Sequence, residues 1–391
     1  MSFHRAPAMQ KTAAVLLAGG QGSRLHELTD RTCKPAVGFA GGRKIVDWTM
    51  QNLAGCALEK IIVASQYKPQ ELTAHLGRFW RGGFTDGTLV IRDGKAVTGR
   101  PDGYVGTADA VTQNLDELVA TGAQTLLVVA ADHIYTMDYE AMISAHRASG
   151  RPVTVAVDRV PRLQARAFGV MAADARGTVT EFVEKPTDPK PMLTDPTRAL
   201  VSMGIYVFDM KWLADRLRAD VTKTGSGHDF GHDILPPAVA AGEVGIFDPA
   251  SQTDDFFWRD VGTLDALRQC CVDIVLKQAP CGIPRYPGGQ LADIGTRIIE
   301  GGTVVMPGAR VSKHARLRNT IVAPGVDVPA ELETGFDLTA DARFFRVTPE
   351  GTVLITPKML DAHMRAKTAY RRQSLPEAAY AFGMTLNEKY V

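Results

Sequence analysis

A glycine-rich turn, Ala18-Gly19-Gly20-Gln21-Gly22-Ser23-Arg24, follows a short apolar run near the start of the chain. Glycine lets backbone N–H groups approach an anion closely, and Arg24 adds a cation, so this spacing offers a phosphate cradle. No Gly-Lys-Ser/Thr follows, which argues against a Walker A loop, and Leu25 stands where a dinucleotide fingerprint carries its third glycine. By themselves the same residues serve equally well as a tight turn with a surface arginine. Lys34-Pro35 supplies a second cation for the same anion, or simply a solvated lysine. Asp132 follows the apolar run Thr125 to Ala130, and a carboxylate at the carboxyl end of a buried strand is a candidate magnesium ligand. Asp260, within Trp258-Arg259-Asp260-Val261-Gly262-Thr263, is its candidate partner, with a cap or turn role as the alternative for each. Glu184-Lys185 pairs an acceptor with a cation, suited to sugar hydroxyls and a phosphate or to an ordinary surface ion pair. His228-Asp229-Phe230-Gly231-His232-Asp233 spaces two histidines four apart without a clear third nitrogen or sulfur ligand, which argues against zinc. Asp229 reads as a helix N-cap or a sugar-hydroxyl acceptor, and Phe230 or Trp258 as a face for a pyranose ring or as core.

These residues need elements to hold them. Ala13 to Ala18, Lys60 to Ala64, Thr125 to Ala130, Pro152 to Val157 and Val201 to Phe208 are short apolar runs of the kind buried on both faces of a sheet. Helix-like segments, Tyr139 to Ala148, Trp212 to Arg218 and Leu264 to Leu276, lie among and after them, which predicts α/β layers. At 391 residues the chain exceeds what one core usually supports. The expected division is a catalytic domain over 1–276, a Pro/Gly-rich linker over 277–290, and a second domain over 291–391. In that last part Val305, Val311 and Leu317 recur every six residues and Val322 and Val328 restart the spacing, as in a left-handed parallel β-helix or, alternatively, a small irregular β-domain.

Lys plus Arg number 44 against 43 Asp plus Glu, so no global basic field draws the chain to nucleic acid or an anionic membrane. Five cysteines without C-x-x-C spacing read as reduced thiols, and no early apolar stretch is long enough for a bilayer, which together predict a cytoplasmic protein.

Taken together, the segments Gly106-Thr107-Ala108-Asp109-Ala110, Asp132-His133-Ile134-Tyr135, Ala167-Phe168-Gly169-Val170-Met171, Ser202-Met203-Gly204-Ile205-Tyr206, His228-Asp229-Phe230-Gly231 and Trp258-Arg259-Asp260-Val261-Gly262-Thr263 resemble bacterial ADP-glucose pyrophosphorylases, the glucose-1-phosphate adenylyltransferases. The resemblance implies a Rossmann-like nucleotidyltransferase domain with a mostly parallel sheet, followed by a short left-handed β-helix. It implies AMP transfer from ATP to glucose 1-phosphate for glycogen or α-glucan synthesis, with magnesium, possible small-molecule effectors and a homotetramer. Matched by motif, Arg24, Lys34 and Asp132 would be catalytic, and Asp132 and Asp260 would hold the metal. Leu17, Ala18, Gly19, Gly20, Gln66, Gly106 and Thr107 would bind the nucleotide. Tyr104, Gly169, Glu184, Lys185, Ser202, Asp229 and Trp258 would bind the sugar phosphate. The chain departs from the family pattern at Gln21, at Thr32-Cys33, at Gly103 and Val105 around Tyr104, and in the shortened segment 81–101, positions that bear on effector response and adenine selectivity. Rival readings are transfer to another sugar 1-phosphate or from another nucleotide, and a weakly active regulatory subunit.

Overall fold

In the computed structural model the described residues are 11–289 and 295–373. The chain divides into two compact units, Met1–Gly295 and Thr296–Val391.

The first unit is built on a nine-stranded mixed sheet. Strand β1 (Thr12–Ala18) is almost wholly buried, because parallel neighbours flank it and helices cover both faces. It lies between β2 (Lys60–Ser65) and β4 (Thr125–Ala130), with β3 (Leu89–Asp93) beyond β2, all four parallel. Helices α1 (Val46–Ala54) and α2 (Gln70–Phe79) present Met50, Leu53, Leu72 and Leu76 to one core. Helix α3 (Thr107–Thr112) presents Ala108 and Val111 to the other. The short strand β5 (His133–Tyr135) and helix α4 (Tyr139–Ser149) follow β4.

Past β4 the sheet becomes partly antiparallel. Strands β6 (Val153–Pro161), β7 (Gly169–Ala173), β8 (Val179–Glu184) and β9 (Arg198–Asp209) form this side, and β9 runs antiparallel to β4, β6 and β7. The register of β9 against β6 slips between Ser202 and Tyr206, and Gly204 there has φ 68°. That irregularity redirects the strand beside the site. Helix α5 (Met210–Val221), strand β10 (Val244–Phe247) parallel to β6, strand β11 (Trp258–Asp260) antiparallel to β5, and helix α6 (Leu264–Val275) complete the unit. The cysteines are all free thiols, as expected.

The stretch 277–289 was expected to be a linker, and the structure corrects this: it is packed onto the first unit. Trp48 Nε1 meets Cys281 Sγ at 3.1 Å and the Gly282 carbonyl at 3.2 Å, and Arg43 Nε donates to the Pro284 carbonyl at 2.7 Å. Its Pro and Gly residues deny it periodicity without denying it contacts. The remaining linker residue, Gln290, lies outside the described residues.

The second unit stacks three-sided coils. Thr303–Val305, Arg310–Val311 and Arg316–Leu317 pair in parallel with Thr320–Val322, Asp327–Val328 and Glu333–Thr334, and Val353–Ile355 continues the first side. Val305, Leu317, Val322 and Val328 are buried, so the six-residue spacing marks the inward side chains, while Val311 is only half-buried. Exposed pairs at 2.6 Å (Arg310 and Asp327) and 2.7 Å (Arg316 and Glu333) tie neighbouring coils outside. The coils stop at Ile355, and the helix Pro357–Gln373 follows where the β-helix was expected to run on. The end of the expected β-helix, 374–391, lies outside the described residues.

Candidate active site

A cavity of about 450 Å³ opens at the carboxyl ends of β1, β2 and β4. Its walls include Leu17, Gly19, Gly20, Gln66, Tyr104, Gly106, Thr107, Asp132, Glu184, Lys185 and Asp229, all singled out from sequence. Residues scattered over two hundred positions therefore share one concave surface, of the size that takes a small ligand.

Each arrives there for a local reason. Gly20 has open space where a side chain would stand, leaving its backbone bare toward the cavity. Gly22 has φ 71°, and a Cβ there would sit 2.6 Å from Lys34 Cβ, so the turn closes only over glycine. Lys34 is pinned beneath it. Its Nζ donates to Asp132 Oδ2 at 3.0 Å and to Asp260 Oδ1 at 2.7 Å, with the lysine side chain 5% exposed. Arg24, more than half exposed, approaches Asp260 Oδ2 at 3.5 Å. Burial opposes ionisation of both Lys34 and Asp132, but mutual attraction prevails. The ammonium gains from Asp132 and Asp260 and is shifted up, and Lys34 and His133 hold the Asp132 carboxyl well below the usual range.

On the opposite wall, Glu184 Oε1 accepts from Lys185 Nζ at 2.6 Å. A Cβ on Gly169 or on Gly231 would come within 2.9 Å of Glu184 Oε2, so the carboxylate is seated between two glycines. Gly169 thus backs Glu184 without lining the cavity. Ser202 also stands behind, donating to the Tyr206 hydroxyl at 3.4 Å while Tyr206 faces the cavity. Gln66 Oε1 accepts the Tyr104 N–H at 2.6 Å, and the Tyr104 hydroxyl accepts from Asn114 at 3.2 Å, which leaves the tyrosine largely buried. Asp229 fills the first of its suggested roles, capping Phe230–Ile234 through Oδ1, and it also lines the cavity. Phe230 lines the cavity although only 1% exposed.

Ala18 is buried behind its neighbours, and Arg24, Lys34 and Asp260 cluster beside Asp132 without lining the cavity. Trp258 is the residue the structure corrects. It is 3% exposed and packs edge-on against His133, with ring centroids 5.2 Å apart, so it presents no face to a sugar. Strand β11, paired with β5, turns Trp258 into the core so that Asp260 can reach Lys34. Sequence reasoning passed over His133, whose Nε2 lies 3.6 Å from Asp132 and 3.9 Å from Asp260, and also Gly204 and Tyr206, although all three stood inside quoted motifs. His228 and His232 belong to no metal cluster: among the described residues no group of three or more His, Cys, Asp or Glu could hold an ion.

Removing the ammonium tests this arrangement. In Lys34→Met the two carboxylates face each other without a cation. A fully buried pair would lose about 3–5 kcal/mol, and partial exposure of Asp132 reduces that to roughly 2 kcal/mol, or about 5 °C in Tm. Because the folded Asp132 value is depressed, its contribution is present above the unfolded carboxyl value of about 3.9 and lost as pH falls below it. The Tm deficit should therefore stay full from about pH 8 down to about pH 5 and shrink only as the pH falls below about 4. A deficit independent of pH would refute the electrostatic cause.

A family model described as nucleotidyl transferase matches residues 13–275, and one described as GlmU-like, C-terminal hexapeptide, matches residues 296–355. A glucose-1-phosphate adenylyltransferase of Jannaschia sp. (strain CCS1) is 38% identical over 92% of this chain and 98% of the relative. Those of Granulibacter bethesdensis, 38% identical over 90% of this chain and 97% of the relative, and Albidiferax ferrireducens, 36% identical over 92% and 97%, are similar. With a mixed sheet carrying the site, coils of the left-handed hexapeptide type in the later part of the chain, and this similarity along nearly the whole chain, the protein belongs to the nucleotidyl transferase family, among the glucose-1-phosphate adenylyltransferases.

Proposed function

We propose that the chain transfers AMP from ATP to glucose 1-phosphate, giving ADP-glucose and pyrophosphate for glycogen or α-glucan synthesis. The observation that carries this reading is the meeting of Lys34, Asp132 and Asp260 beside the bare backbone of Gly19 and Gly20, at one end of a cavity whose other wall holds Glu184 and Lys185.

The donor set fits magnesium: Asp132 and Asp260 turn carboxylate oxygens toward one cationic centre, and a hard cation takes one or two such ligands plus phosphate and water. When bound, the ion would neutralise charge on the triphosphate. The rest is work for the chain's own groups. The Gly19-Gly20 backbone, Gln66, Gly106 and Thr107 seat the nucleotide. Arg24 and Lys34 lie against the triphosphate and favour departure of pyrophosphate. Glu184 accepts sugar hydroxyls, Lys185 holds the sugar phosphate, and Asp229 and Tyr206 close that wall. The sugar-phosphate oxygen then attacks the α-phosphorus in line, so no protein nucleophile is needed, and positioning with electrostatic stabilisation supplies the rate. The family reading brings with it a cytoplasmic homotetramer and small-molecule effectors. No helix of the described residues is long and apolar enough to cross a membrane.

Pyrophosphate release measured over four nucleoside triphosphates and several sugar 1-phosphates tests the assignment. ATP with glucose 1-phosphate should exceed every other pair in kcat/KM by about tenfold or more, the scale a shaped pocket enforces. Preference for another nucleotide or sugar would replace the substrates and keep the chemistry. Inactivity with every pair would favour a regulatory subunit.

A further inference from the structure

The loop His228-Asp229-Phe230-Gly231 lies backbone-first on the start of α3. The His228 carbonyl accepts the N–H groups of Ala108 at 2.9 Å and Asp109 at 3.1 Å. The Thr107 hydroxyl donates to Asp229 Oδ2 at 2.8 Å and accepts the Phe230 N–H at 3.0 Å. A Cβ on Gly106 would stand 2.2 Å from the His228 carbonyl oxygen and 2.4 Å from that of Gly227, so the two backbones touch. Gly106 and Thr107 belong to the proposed nucleotide half of the cavity, and Asp229 to the sugar half. The two halves are therefore hydrogen-bonded to each other through protein groups alone.

What fixes this loop lies outside the cavity. His228 has φ 51°, a left-handed conformation that costs a non-glycine residue about 1 kcal/mol or more and persists only where its surroundings hold it. Its Nδ1 meets Asp220 Oδ2 at 2.7 Å. The Ser226 hydroxyl donates to Asp220 Oδ1 at 2.7 Å and accepts the His228 N–H at 3.0 Å. Asp220 sits in the last turn of α5, is 6% exposed, and lines no part of the cavity. Both of its oxygens are used to hold a loop that reaches the site three positions beyond Ser226, at Asp229.

We propose that Asp220 is a positioning residue: through Ser226 and His228 it sets the loop that joins the two half-sites, so that nucleotide and sugar phosphate are bound in register with each other. The proposal rests on the nucleotidyl-transfer reading. It also absorbs the His-Asp-Phe-Gly segment, whose histidine acts as a tie and not as a metal ligand.

The test uses steady-state kinetics of the full chain with whichever donor and acceptor pair the wild type turns over best, so a change of substrates leaves it intact. Asp220→Ala should raise KM for both substrates by about tenfold, with kcat reduced less than about threefold, because Lys34, Asp132 and Asp260 lie on other elements. Asp220→Asn keeps the shape and one acceptor oxygen and should recover most of the loss. His228→Gly tolerates the positive φ but lacks the imidazole, and it should reproduce Asp220→Ala even if that variant folds poorly. Combining Asp220→Ala with Thr107→Val should give less than the sum of the single effects, since both act on one network. Titration calorimetry of each substrate with and without the other, with the metal withheld, reads the coupling without turnover. An inert wild type that still shows coupling lost in the variants would sink the transfer reading and keep this one. Both KM values within twofold of wild type in Asp220→Ala and in His228→Gly, or a change in Tm alone, would overturn it.

Discussion

Asp132→Asn is expected to lower kcat by roughly a thousandfold or more while the protein stays folded. The size follows from what Asp132 touches. Its carboxylate is one of two on the Lys34 ammonium, and it is the one that lines the cavity. An amide keeps the volume and loses the charge. The proposed magnesium then has one anionic protein ligand in place of two, and Lys34 loses part of the field that holds it in place. Retention of the fold follows from the same geometry. Asp132 is 36% exposed, so an amide there can be hydrated, and Lys34 keeps Asp260 at 2.7 Å. Circular dichroism and Tm should stay near wild type while pyrophosphate release collapses, and excess magnesium should recover little of it. A rate within tenfold of wild type would remove Asp132 from the metal site and leave it as a structural partner of Lys34.

The elements around that site were legible to the extent that burial leaves a local signature. Strand β4 matches its apolar run residue for residue, and β1, β2 and α6 differ from expectation by one residue, because parallel strands covered on both faces read as unbroken hydrophobic runs. Strand β9 is longer than expected at both ends, since pairing with β6 continues past the apolar stretch to Arg198, whose side chain is exposed. The site itself was legible as residue types and not as geometry. Lys34 taken alone is an ordinary lysine. Only the fold brings it to carboxylates 98 and 226 positions away, and no spacing along the chain encodes that meeting. Trp258 shows the opposite failure: an aromatic beside a catalytic motif fits a sugar platform and a core filler equally, and the pairing of β11 with β5 decides for the core. Tyr206 became visible through the register slip at Gly204, a backbone feature that side-chain patterns do not report.

Asp47→Ala is expected to be the most destabilising single change in the first unit, although nothing in the sequence marks Asp47. It is completely buried in α1. One oxygen accepts the Lys44 N–H at 2.8 Å and the Tyr286 hydroxyl at 2.9 Å, while the other accepts Trp80 Nε1 at 2.7 Å and meets His75 Nε2 at 2.7 Å. One carboxylate thus fastens α1, α2 and the stretch 277–289 together, which is why a Pro/Gly-rich segment lies docked. Truncation leaves several polar groups buried without a partner, and the expected loss is about 3–5 kcal/mol. Tyr286→Phe removes one donor and keeps the ring that stacks on Phe79, so it should cost only about 1 kcal/mol. The two variants therefore separate the carboxylate hub from simple packing. Denaturant unfolding gives the stabilities, and limited trypsinolysis locates the damage: Asp47→Ala should become cleavable after Lys277 and the exposed Arg285 under conditions where the wild type resists. If Asp47→Ala loses no more stability than Tyr286→Phe, the docked segment is held by its aromatic contacts and the buried carboxylate is dispensable.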